Sequence, residues 1–160
     1  MQEPAITGIH HVKFPVSDLA TSIAWYQRVF GFEVEVEFPD EEGVVRGVAG
    51  TCPGLGDAGL ALRENPVAAK GFAGFDPISF GIADKAAAEA WAARLDELGI
   101  AHSPVVDATI GWIVGFHDPD GIEIRLYSFA AHGRDQRGRP GYGQLVDTAQ
   151  VGGGPVSVRA

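Results

Sequence analysis

Sulfur is nearly missing from this chain. Its 160 residues hold one cysteine, Cys52, and one methionine. A single cysteine excludes an internal disulfide framework and a cysteine-based zinc site. No apolar run is long enough to span a bilayer. The opening MQEPAITGIHH lacks the charged start and apolar segment of a signal peptide. These absences give the expectation of a cytoplasmic protein with no membrane partner. Basic residues are also scarce. Residues 1–131 carry 8 Lys and Arg against 19 Asp and Glu, or −11, whereas the last 29 carry 4 against 2, or +2. A body that acidic is repelled by phosphate backbones, so nucleic acid is not an expected partner.

Against that background, 46% of the residues are hydrophobic, enough for one globular domain. The pattern starts with a strand at 9–16, in which Val12, Phe14 and Val16 share a face opposite His11, Lys13 and Pro15. Asp18 then caps a helix with the apolar stripe Leu19, Ile23, Tyr26 and Phe30, ended by Gly31. Residues 32–38 (FEVEVEF) alternate as a half-exposed strand with three Glu outside. Strands at 44–49 and 59–64 follow, and Asn65-Pro66 ends the second.

After a linker at 66–75 the pattern begins again. A strand at 77–83 leads to a helix capped by Asp84 with Ala87, Trp91, Leu95 and Leu98, and strands follow at 100–106 and 110–116. The last segment, GFHDPDGIEIRLY at 115–127, reads as strand, tight turn and strand. Pro119 presets the turn, and Asp120-Gly121 supplies its side-chain cap and left-handed position. Ile122, Ile124 and Leu126 take one face, Glu123, Arg125 and Tyr127 the other. Val12, Phe14, Val16 and Asp18 match Ile78, Phe80, Ile82 and Asp84 at a shift of 66, and Leu60, Leu62 and Arg63 match Ile122, Ile124 and Arg125 at a shift of 62. The chain is thus an internal repeat of two βαβββ modules, at about 6–65 and 76–129, forming one domain over 1–131. Residues 132–160, rich in Gly and Arg without periodicity, read as a flexible tail.

The doubled βαβββ pattern, the opening HHVKFPVSDL, the S-x-x-W-Y…GF helix exit and the closing F-H-DPDG-I-E-I strand resemble the vicinal oxygen chelate superfamily. This is the glyoxalase, bleomycin-resistance and dioxygenase group, and the resemblance covers roughly residues 6–129. It implies an α+β fold in which two tandem modules form a cup-shaped mixed sheet, often in a homodimer. It also implies, in the family's metal enzymes, a divalent ion held by the first and last strands. At the implied ligand positions this chain has His11, Arg63, Pro77 and Arg125. Guanidinium groups have no lone pair to give. Each would repel a divalent ion 4 Å away by roughly 8 kcal/mol at an effective dielectric near 20. Glu64 or Glu123 would restore a ligand only with a slip in register that brings Leu62 and Ile124 to the wet face.

The expectation is therefore a member without metal or other cofactor, a homodimer that binds a small aromatic or anionic organic molecule. The candidate lining residues are His11, Lys13, Arg63, Ser79, Trp112, Glu123, Arg125 and Tyr127. Arg63 and Arg125 are read two ways, as an anion-recognising pair or as partners of Glu64 and Glu123. His10 is read as structural. The alternative is an enzyme of the family, a lyase, isomerase or dioxygenase, either with a metal whose ligand lies elsewhere or with His11 or Glu123 as a base.

Overall fold

A computed structural model describes residues 3–143. It contains two four-stranded sheets and three helices. The elements are β1 (His11–Val16), α1 (Leu19–Phe30), β2 (Glu33–Pro39), β3 (Val45–Thr51), β4 (Gly59–Glu64), α2 (Pro66–Phe72), β5 (Ser79–Ile82), α3 (Lys85–Glu97), β6 (Val106–Asp107), β7 (Trp112–His117) and β8 (Glu123–Ser128). The sheet orders are β1-β4-β3-β2 and β5-β8-β7-β6, with the first pair parallel in each. The repeat read from the sequence is therefore a repeat of topology. The chain divides into two compact units. Among the described residues, one comprises residues 3–77 together with His117–Glu123; the other holds Ile78–Phe116 and residues 124–143.

Each long helix starts in the same way. The Asp18 carboxylate accepts from the Thr21 N–H, and Asp84 accepts from Ala87, so both satisfy a donor of the first turn. Gly31, at φ 69°, closes α1. The buried stripe of α1 is Leu19, Ser22, Tyr26 and Val29, not the more strongly apolar set containing Ile23 and Phe30. In α3 the buried positions are Ala88 and Leu95.

The linker at 66–75 is largely a helix, α2. Asn65 accepts from the Ala68 N–H and Pro66 fills the first turn, so the dipeptide that ends β4 also starts this helix. The strand expected at 100–106 shrinks to Val106–Asp107 plus one bridge between His102 and Phe116.

The core of the first unit lies between α1 and one face of its sheet. Phe14, Val16, Val48, Leu60 and Leu62 are almost fully buried there, and the rings of Phe14 and Tyr26 lie 5.5 Å apart. Strand β2 departs from simple alternation. A bulge at Glu35 places Val34 opposite Gly50 but Val36 opposite Ala49. Val36 and Phe38 thus leave the helix-covered face and stay 47% and 45% exposed. Gly50 is required at the bulge, because a Cβ there would lie 1.8 Å from the Glu33 carbonyl oxygen.

In the closing turn Gly121 has φ 79°, as its left-handed position requires. The side-chain cap comes from Asp118, however, not Asp120. Asp118 Oδ1 accepts from the N–H groups of Asp120 and Ile122 at 2.9 and 3.0 Å. Asp120 instead accepts from the Ser17 N–H at 3.1 Å.

The second unit gathers residues that the sequence assigns to a tail. The His132 ring meets the Ala108 carbonyl at 2.7 Å and stands edge-on to Trp112, and Gln136 is buried. The Thr109 hydroxyl donates to the Tyr142 carbonyl, and Arg134 pairs with Asp107. The remainder of that segment, 144–160, lies outside the described residues.

Candidate functional site

The first sheet has a second face, opposite the one packed on α1, and its register states which residues share it. Pairing runs Lys13–Ala61–Ala49–Val36 in one row and Pro15–Arg63–Gly47–Phe38 in the next, with His11 opposite Gly59 beyond them. The middle strands therefore contribute only Gly47, Ala49, Gly59 and Ala61 near the centre. Small residues there form the floor of a groove. Val36 and Phe38 form an apolar wall on one side, and His11 and Lys13 a polar wall on the other. The resulting cleft is about 560 Å³ and reaches His10, Glu35 and Asp57 at its rim. A second compartment of about 340 Å³ shares Lys13, Phe38 and Ala61 with it and ends at Arg63.

His10, read from the sequence as structural, also lines this cleft. Its Nδ1 lies 3.0 Å from His11 Nδ1 and the two rings meet edge to face. In that contact one imidazole nitrogen must donate and the other accept. The strand expected at 9–16 gives His10 the parity of the core-facing Val12, but β1 begins only at His11, so that alternation does not extend to His10. Val36 and Phe38 also escape sequence reasoning, because the bulge reverses their faces.

Arg63 lies across Gly47. A Cβ at Gly47 would stand 3.1 Å from Arg63 Cδ and 3.3 Å from its Nη1. The expected alternative partner, Glu64, is bonded instead to Arg46 at 2.7 Å, and Arg46 also binds Asp40. Among the described residues neither Lys13 nor Arg63 forms an ion pair.

Ser79 and Tyr127 come together in the second unit, in a cleft of about 290 Å³ with Gly81 and Phe129. The Tyr127 hydroxyl accepts from the Ile110 N–H at 3.1 Å, leaving its own proton to donate. Arg125 pairs in register with Ser79 and is half-buried. Trp112 packs against His132 and its Nε1 is buried without a hydrogen-bond partner among the described residues. Glu123 is half-buried and its N–H donates to Phe75.

The register revises the repeat. Lys13 opposes Ala61, and its counterpart Ser79 opposes Arg125; Pro15 opposes Arg63, and its counterpart Gly81 opposes Tyr127. By pairing, the last strands correspond at a shift of 64, not 62. Arg63 therefore matches Tyr127, and Arg125 matches Ala61. A period-2 pattern cannot distinguish the two shifts, because both keep the same residues on the core face.

The metal implied by the family resemblance does not fit these residues. Leu62 and Ile124 are 1% and 0% exposed, so Arg63 and Arg125 hold the outward positions. That alternation turns Glu64 away from the groove row, though it leaves Glu123 on the same face as Arg125. At either repeat shift the last strand of the first module offers Arg63 or Ala61, and neither ligates a divalent ion. Among the described residues no three His, Cys, Asp or Glu side chains form a group that could hold one. Nor is any helix of those residues long and apolar enough to cross a membrane.

No curated protein sequence matches the chain. Solved structures do. TnmS3, an antibiotic binding protein from Streptomyces sp. CB03234, is 26% identical over 79% of this chain and 98% of its own, with a TM-score of 0.63. A lactoylglutathione lyase from Agrobacterium tumefaciens is 22% identical over 79% and 96%, also at 0.63. The fosfomycin resistance protein FosX from Listeria monocytogenes is 17% identical over 78% and 94%, at 0.57. Proteins with such different roles on one backbone carry fold, not reaction. The profile of the Glyoxalase/Bleomycin resistance protein/Dioxygenase superfamily matches residues 8–126, and the chain belongs to that superfamily.

Proposed function

We propose that the protein binds a small, flat organic molecule in the groove of its first unit, without a metal, and sequesters it rather than transforming it. The observation that carries this reading is the groove's division into an apolar wall of Val36 and Phe38 and a polar wall of His11 and Lys13 over a floor of small residues. A floor without side-chain bulk admits a flat body. The apolar wall removes its surface from water at about 25 cal/mol per Å². A cleft of about 560 Å³ is within the usual range for organic ligands. Likeness to an antibiotic binding protein supports the same class of ligand. The working form is a cytoplasmic homodimer.

The test is a panel of aromatic acids and their neutral analogues, scored for saturable thermal stabilisation and for product by mass spectrometry. Stabilisation without product is the expected result. Turnover of a stabilising compound would overturn sequestration.

One observation favours a second reading, an enzyme of the superfamily acting without metal. The His10–His11 contact fixes an imidazole pair at the cleft, and one ring of a neutral pair keeps a nitrogen lone pair that could take a proton. It predicts that His11→Ala abolishes turnover while the fold survives.

A further inference from the structure

The two modules are copies in topology, so each serves as a control for the other. By pairing register, Lys13 and Arg63 of the first groove become Ser79 and Tyr127 in the second. At these two positions neutral hydroxyls replace both cations, while Arg125, opposite Ser79, takes the place of Ala61 on the outward face. In the first unit the compartment that ends at Arg63 is lined by Lys13, Phe38, Gly47, Val48, Ala61, Leu62 and Arg63, without one carboxylate. This occurs in a chain with 21 acidic against 12 basic residues. Three of the six other cations on described strands and helices, Arg46, Lys85 and Arg94, pair with an acid. Lys13 and Arg63 form no ion pair among the described residues. Gly47 gives Arg63 its seat, since a methyl there would press on both Cδ and Nη1.

Two unpaired cations in an acid-free pocket repel each other, and that repulsion is relieved when an anion binds. The rim of the larger cleft is different, with Glu35 and Asp57 beside His10. The groove is therefore polarised along its length.

Resting on the proposed binding role, we infer that the Lys13–Arg63 compartment is an anion subsite. It selects ligands that carry a carboxylate or similar acidic group at one end of an apolar, flat body, and Gly47 is a specificity-determining residue because it keeps Arg63 in place. The anion lies between the ammonium and the guanidinium, and the body runs along Phe38 and Val36. The lining of the second unit's cleft holds Ser79 and Tyr127 at the matching positions and no cation, so the pair of cations is particular to the first unit.

The test compares 2-naphthoate with 2-naphthamide, which have the same ring and differ in charge, by calorimetric titration at low salt. The native chain is expected to prefer the carboxylate by tenfold or more, as about one charge-assisted contact would give. Arg63→Gln and Lys13→Gln should each reduce that preference several-fold, weakening the carboxylate more than the amide. Both side chains are exposed, so the fold should tolerate either change. Gly47→Ala, which keeps both charges, should also lower the preference. Arg28→Gln removes the same charge from an exposed position on α1 and should leave it intact. Equal binding of the two compounds by the native chain would overturn the anion subsite and leave the binding role standing. An equal loss in Arg28→Gln would reduce the effect to general charge and also overturn the subsite. Binding of neither compound would overturn both.

Discussion

The Tyr26 hydroxyl donates to Asp118 Oδ2 at 2.9 Å, joining α1 to the turn before β8 across 92 residues of sequence. Both groups are buried, and the same carboxylate caps the turn through the N–H groups of Asp120 and Ile122. Asp118 thus does two jobs: it shapes the turn and fixes it to the first unit. Burial, with Asp118 beside it, holds the Tyr26 hydroxyl protonated far above its ordinary range. Tyr26→Phe removes one donor and leaves a buried carboxylate short of a partner. The expected cost is about 1–3 kcal/mol, read as a lower midpoint in urea unfolding. A midpoint unchanged from the native chain would mean that water replaces the hydroxyl.

Asp118 gives a pH dependence of unusual sign for an acid. Burial pushes its carboxyl above the ordinary 3.8, outweighing the hydrogen bond from Tyr26 that pulls it down. A group whose folded pKa is raised contributes stability that is fully present below its unfolded pKa and is lost as pH rises through the folded value. Asp118→Asn cannot titrate. Its stability relative to the native chain should therefore improve from about pH 4 upward, within the window above 3.8. Urea unfolding of both proteins between pH 3.5 and 7 measures this. A difference that stays flat across the range would contradict it.

Much of the fold is legible in the sequence because its signals are local. Asp18 and Asp84 cap their helices where spacing places them, and the alternation Ile122, Ile124, Leu126 settles which face of β8 is core. The groove is less legible. Its apolar wall depends on a bulge at Glu35, which no period-2 count reveals. Its polar wall includes His10, which lies before the strand begins. Helix α2 hides behind a dipeptide that is both strand stop and helix start. The apparent equivalence of Arg63 and Arg125 fails for a similar reason. Shifts of 62 and 64 look alike to hydrophobicity, and only hydrogen-bond register separates them.

The bulge itself makes a sharp prediction. At Gly50 a methyl group would collide with the Glu33 carbonyl and crowd the Glu35 N–H. Relief requires β2 to move away from β3 or the bulge to be lost, which returns Val36 to the helix side. Gly50→Ala should cost more than about 3 kcal/mol or prevent accumulation of folded protein. If it folds, it should lose ligand affinity together with stability, because the apolar wall moves with the bulge. Normal stability and normal binding in Gly50→Ala would exclude this placement of β2.

The metal question has the most direct test. A divalent ion in the first groove would sit among His11, Lys13 and Arg63, and two of those three are fixed cations. The remaining imidazole contributes a single neutral donor, further engaged with His10. Elemental analysis after incubation with nickel, zinc, manganese or iron should find no stoichiometric ion, and the melting temperature should not rise with any of them. An ion retained at one per chain and lost in His11→Ala would mean that His11 is a ligand and that the groove holds a metal after all. The anion subsite would then need a different reading, because a carboxylate ligand would bind the metal rather than Arg63. The two cases separate without knowledge of the natural ligand. With a metal, naphthoate binding falls on chelation and survives Arg63→Gln. Without one, it is indifferent to chelation and depends on Arg63.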